Sequence, residues 1–471
     1  MTPNTNDTDG GLNAGQLQEF VEKFEQLVKE KKIEFLDEET VEVAVDYYFN
    51  NGDVIKAANA CKIGLSIYPN SLVLLIIQIQ LHMANSQLEL AADLIERGFL
   101  FFPNDPELTI LSAVILSLEG KYAEAIRAFE DILPTADDKS FVYFHLGEAY
   151  QSWGKTHKAL DCYKLAMSEG LENPFVFSEI MYCFALIDEP AQTVIDFLNS
   201  LIDKNPYSSY AWFHLGQTYA MENRHEEAID AYQYVLAIDE NHVGAMFHLG
   251  HAYMNLEKYE DALYYYKETL KVDKNSPNTL THVAAANEKL ELWSEARKYY
   301  LQATEITSEW YEAWYGLASV MFEQGKWSEA IHFVKKAIAL NDTEDSYFEL
   351  LAEAEANLGH MEASSEAYRK AIELSPTVVD YWLNWSMVYY EEHEYETALH
   401  IMEDALLEVP NDADLYYRTT VYLLKLGRMK EAVSNLEIAY ALNPETHTQI
   451  YPFFPDIEIQ KNIFKLIQMI K

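Results

Sequence analysis

The stretch Ser209 to His242, SYAWFHLGQTYAMENRHEEAIDAYQYVLAIDENH, carries a pattern that recurs at one spacing through nearly the whole chain. Trp212, Leu215, Gly216, Tyr219, Ala228 and Tyr232 stand at positions 4, 7, 8, 11, 20 and 24 of a 34-residue window. Two antiparallel helices that cross closely need small residues at the crossing, here Gly216 and Ala228, with large apolar side chains filling the space between them. One such pair cannot bury its apolar face alone, so the pattern calls for stacked copies.

Outward from Ser209, repeat starts fall at Phe175, Ser140, Pro106, Leu72 and Glu38 on one side. On the other they fall at Val243, Pro277, Tyr311, Asp345, Val379 and Ala413. That gives twelve repeats, 34 residues apart except for 35 between Ser140 and Phe175. Position 20 holds Ala57, Ala91, Ala125, Ala159, Ala228, Ala262, Ala296, Ala330, Ala398 and Ala432, and only Val194 and Ser364 depart. Position 32 carries Pro69, Pro103, Pro206, Pro376, Pro410 and Pro444, where a second helix has to stop. Gly52, Gly120, Gly154, Gly325, Gly359 and Gly427 mark the turn inside several pairs. The repeat from Phe175 breaks the pattern, with Tyr182 at position 8, Val194 at position 20, Pro190 in the turn and one residue inserted in SEGLENP. Residues 168–192 are therefore the candidate kink.

These residues at this spacing closely resemble the tetratricopeptide repeat (TPR) family. The resemblance implies an all-α fold, an α-α superhelix (solenoid) of antiparallel helix pairs that works as an interaction scaffold. Around repeats at 38–446, residues 1–11 read as a disordered tail. Residues 12–37, with Leu17, Phe20, Val21, Phe24, Leu27 and Val28 at helical intervals, read as an N-terminal capping helix. Residues 447–471 read as a C-terminal cap, with Ile459, Ile463, Ile467 and Ile470 in a stripe. Lys461, Lys465 and Lys471 beside that stripe leave open self-association or a membrane-surface role.

Apolar residues make up 49% of the 471, enough for an extended stacked core without cofactors or disulfides. The formal net charge is −42, and residues 38–446 carry 66 acidic against 27 basic residues. Such a field repels nucleic acid and anionic lipid and steers a basic protein or peptide inward; solubility alone would also account for it. The N-terminus lacks a basic start followed by an apolar run, and the most apolar stretch, Leu72 to Ile79, is too short to span a membrane. Cys61, Cys162 and Cys183 have no metal-type spacing and suit a reducing compartment, so a cytoplasmic location is expected.

In TPR proteins positions 2, 5, 6, 9, 12 and 13 of the first helix look into the concave face. By that resemblance the peptide-binding candidates are Phe144, His145, Phe213, His214, Phe247, His248, His251, His282 and Tyr315. Flat rings and imidazoles suit an extended peptide, although such residues at positions 5 and 6 also serve as scaffold. A metal-binding or metal-responsive protein using the row His214, His248, His251 and His282 is the alternative, and no Cys or paired carboxylate completes its ligand set. The Lys and Arg clamp with which some family members hold a partner's C-terminal carboxylates is absent, which disfavours acidic peptides. A second, apolar patch, Val73, Ile76, Ile77, Ile110, Leu111 and Val114, should not face water; either the helix around Phe20 and Phe24 or a partner helix covers it.

Catalytic chemistry finds no footing, and a non-enzymatic protein without cofactor is expected. Gly154-Lys155-Thr156 has Ala149 where a phosphate loop needs its first glycine, and His225-Glu226-Glu227 lacks the second His of a zinc protease. Glu349 and Glu353, one turn apart, read as a solvated face in so acidic a chain.

Overall fold

The computed structural model describes residues 14–171 and 173–454. Among them the chain is all-α, with helices and no strands. It divides into two compact units, Met1–Thr218 and Tyr219–Lys471, each described by itself.

In the first unit, Ala14–Lys29 is followed by a 3-10 turn at Ile33–Phe35 and then by helix pairs. Counting pairs from Glu38, the first helices begin at Glu38, Leu72, Pro106, Lys139 and Pro174, and the helix Ser209–Met221 contains the boundary between the units. In the second unit, first helices begin at Val243, Pro277, Tyr311, Asp345, Val379 and Ala413, each 34 residues after the last. Polar side chains close the helix starts: Asp37 accepts from the Thr40 amide, Asp105 from Leu108, and His242 Nδ1 from Ala245 at 3.0 Å. The position-20 alanines are all essentially inaccessible, because the first helix passes directly over them.

Ser364 is the exception at that position. It is fully buried, and its hydroxyl has no hydrogen-bond partner among the described residues. An unpaired buried hydroxyl is destabilising, so Ser364→Ala is expected to stabilise the second unit by about 1 kcal/mol, read as a higher melting temperature. An unchanged or lower melting temperature would contradict this.

Within each unit, successive first helices approach one another, as between pairs 1 and 2, 2 and 3, 8 and 9, and 9 and 10, and successive second helices do so less. The first-helix side is therefore the inner side of each stack.

Three expectations are corrected here. First, Ile76, Ile77, Ile110 and Leu111 are each under a tenth exposed, so the apolar patch does not form an open wall. Ile76 and Leu111 pack with Ile79, Ile95, Leu108 and Ile115, and Ile77 with Val41 and Leu74, because neighbouring first helices close over them. Val73 alone is exposed, and Val114 is half-buried. Second, the N-terminal helix is spent elsewhere. Val21 and Phe24 are buried with Val41, Ala44, Val45 and Tyr48 of the first pair, and the Tyr48 hydroxyl donates to Glu25 at 2.8 Å. Third, the residue in excess of 34 lies in the turn between Pro174–Leu186 and Ala191–Lys204, not in SEGLENP. Asn173 caps Val176 and Pro174 opens the helix one residue early, so Tyr182 turns outward instead of entering the helix crossing.

After the last pair, Glu445–Phe453 forms a 3-10 helix that brings Ile450 into the core of pairs 11 and 12. The stripe Ile459 to Ile470, with its expected capping and self-association, lies outside the described residues.

Candidate functional site

The position-6 histidines have a packing role that recurs. In the first unit His145 stacks on Phe129 of the preceding pair, with ring centroids 6.3 Å apart and planes at 10°. In the second unit His248 stacks on Tyr232 at 5.6 Å and 15°. Each time the position-24 ring of one pair supports the imidazole of the next. His282 meets Tyr266 in the same way, tilted at 51° and 5.4 Å. Tyr266 is in turn seated against Gly250, where any Cβ would collide with its ring.

Of the nine ring positions read from the sequence, four come together in the second unit. Phe247 lies 4.7 Å from His251 and 5.1 Å from His282, with planes near perpendicular, and His251 and His282 are 4.5 Å apart. His248 is 6.3 Å from His251 and completes the group. Tyr315 is not part of it; its ring stacks on Tyr347 at 4.6 Å. Phe144, His145, Phe213 and His214 belong to the first unit. There Phe144 packs against His145 and Tyr163, His145 Nδ1–H donates to Glu148 at 2.6 Å, and His214 stacks on Phe177.

Burial keeps these imidazoles neutral. It lowers His214, His248 and His282, and it takes His251 down to about 4, with His282 and His248 adding like-charge repulsion. His282 Nδ1–H donates to the Asn278 carbonyl at 2.8 Å, because a carbonyl can only accept, and Nε2 is left with its lone pair.

Sequence reading missed two groups and misplaced a third. Tyr266, at position 24 of pair 7, has a buried hydroxyl with no hydrogen-bond partner among the described residues. Glu312 is at position 2 of pair 9, a groove position by the family pattern, and its buried Oε2 is likewise unpartnered; its position was the available signal. Glu349 and Glu353 do not form a solvated face. Both are half-buried, and burial followed by neighbouring carboxylates pushes Glu349 up to about 7, while Glu353 rises through burial and Glu323. Glu312, Glu349 and Glu353 form no ion pair among the described residues.

No group of three His, Cys, Asp or Glu among the described residues is placed to hold a metal, so the metal reading goes no further. The three thiols are buried, and burial pushes Cys61 and Cys162 up to about 12 and Cys183 to about 11. The Cys61 thiol donates to the Leu74 carbonyl at 3.1 Å. No helix among the described residues is long and apolar enough to cross a membrane.

Tetratricopeptide repeat family models match residues 142–169, 209–242, 243–276, 311–344, 346–378 and 383–445. The chain is a tetratricopeptide-repeat protein. No curated protein matches it. Among solved structures, this TPR protein is similar to MamA, at 22% identity and a TM-score of 0.33, over 37% of this chain and 94% of that one. It is similar to YrrB, described as a TPR protein with an unusual peptide-binding site, at 18% identity and 0.33, over 42% and 97%. The APC/C hetero-tetramer Cut9-Hcn1 aligns at 13% identity and a TM-score of 0.43, over 88% of this chain and 97% of that one. The family supports a protein-protein interaction scaffold in general.

Proposed function

We propose that this TPR protein is a non-catalytic, cytoplasmic scaffold that binds an extended, basic segment of a partner protein along the inner, first-helix side. The observation that carries the reading is the run of half-buried rings Phe247, His251 and His282, followed on the first helices of pairs 9 and 10 by Glu312, Glu349 and Glu353, carboxylates without an ion pair among the described residues. Half-buried acid without a counter-ion is unfavourable in the free protein, and a basic ligand relieves it. Buried free thiols support a reducing compartment.

The test is capture from native lysate by the intact protein and by Phe213→Ala/Phe247→Ala, at low and moderate salt. The account expects a basic protein whose recovery falls at least about tenfold in the double variant and declines with salt. Both chains should show the same circular dichroism. Recovery that is equal from both, at either salt, would contradict the reading.

A further inference from the structure

We propose that the ring cluster of pairs 7 and 8, with Glu312 at the start of pair 9, is a pocket for one arginine side chain of the bound segment. The inference rests on the peptide-binding reading and adds the residue that the site selects. Its walls are Phe247, His251 and His282, whose rings meet edge to face within 4.5 to 5.1 Å, and Tyr266 lies among them, 5.6 Å from His251 and 5.4 Å from His282.

Glu312 Oε2 and His282 Nε2 are acceptors short of donors, and the Tyr266 hydroxyl, which can donate or accept, lacks a partner of either kind among the described residues. Glu312 Oε2 and Tyr266 Oη have no hydrogen-bond partner among the described residues, and Tyr266 is fully buried. His282 has spent its one N–H on Asn278, so its Nε2 can only accept. The Trp310 indole N–H donates to the Thr281 hydroxyl at 3.0 Å, which brings the start of pair 9, with Glu312, against the helix that carries His282, and the Glu312 charge acts on that imidazole.

A ligand matching this set must be cationic, must carry several N–H donors and must lie flat against rings. Guanidinium meets all three conditions, with donors in a fixed plane and weak hydration. A lysine ammonium holds its water more strongly and cannot stack. A trimethylated lysine would suit the rings and leave every acceptor unpaired. An apolar side chain would bury Glu312 further without neutralising it.

The test uses the full chain and fluorescein-labelled undecapeptides with randomised flanks and a fixed central residue, arginine, citrulline, lysine or leucine, followed by anisotropy at 50 mM salt. Citrulline keeps the shape of arginine and removes its charge. The arginine pool is expected to bind at least about tenfold tighter than the citrulline pool and more tightly than the lysine pool. Glu312→Gln, an isosteric change checked by melting, should erase that preference. If arginine and citrulline pools bind alike, or lysine equals arginine, while Phe213→Ala/Phe247→Ala still abolishes binding, the arginine pocket is overturned and the peptide-binding face stands. If the double variant binds every pool as the intact protein does, or no pool binds, both are overturned.

Discussion

Gly316→Val is expected to destabilise the second unit by about 3 kcal/mol, at the upper end of what overpacking a buried contact costs. Gly316 is buried at position 6 of pair 9, where a Cβ would collide with Cζ, Cε1 and Cε2 of Tyr300 from the preceding pair. Tyr300 cannot easily withdraw. It is 4% exposed, and its hydroxyl donates to Glu288 at 2.9 Å, whose other oxygen accepts from Ser319 at 2.7 Å. The helical gain on replacing glycine, up to about 1 kcal/mol for alanine, is smaller still for a β-branched residue, so the clash prevails. Thermal melting and hydrogen exchange over pairs 8 and 9 would measure the loss. In a Tyr300→Ala background the added cost should nearly vanish, since the colliding ring is gone. An equal cost in both backgrounds would mean that the close contact is not its origin.

Acidification is expected to remove about 2 to 3 kcal/mol from the second unit through His251 alone. Its folded pKa of about 4 lies below the ordinary 6.5, because burial comes first and the neighbouring His282 and His248 second. A depressed pKa means that the unfolded chain takes up the proton first. The stability contribution is therefore complete above pH 6.5 and is lost as the pH falls from there to about 4. Glu349, raised to about 7, works in the opposite sense, since its folded form binds the proton more tightly. The readout is thus the difference between the native chain and His251→Gln, in which the other groups cancel. That difference should change steeply between pH 6.5 and 4 and stay flat above pH 7. A difference independent of pH would show that His251 is not held neutral.

How far the fold could be read from sequence follows from its packing rules. Small residues at crossings and turn residues at fixed offsets leave a periodic trace, and Ala228 and Ala262 sit buried where that trace puts close contact. The fifth pair shows its limit. Counting from neighbouring repeats placed Tyr182 in the crossing, yet Asn173 and Pro174 set the helix start locally and the surplus residue moved to the turn. The apolar residues Ile76 and Leu111 show another, since a family pattern names groove positions but not how tightly adjacent first helices close over them. At the site, Phe247, His251 and His282 were legible by position. The unpaired state of Tyr266 Oη and Glu312 Oε2 was not, because a missing partner is a property of three-dimensional neighbours.

The most direct test of a partner lying on the first-helix side is photocrosslinking. Benzoylphenylalanine replaces either Ala285, on the first helix of pair 8 one turn from His282, or Tyr264, which is 57% exposed on the second helix of pair 7. Each chain is irradiated in native lysate and its adducts are identified by mass. The account predicts a basic protein joined through Ala285 and not through Tyr264. Adducts that form only at Tyr264 would place the partner on the outer side and contradict it.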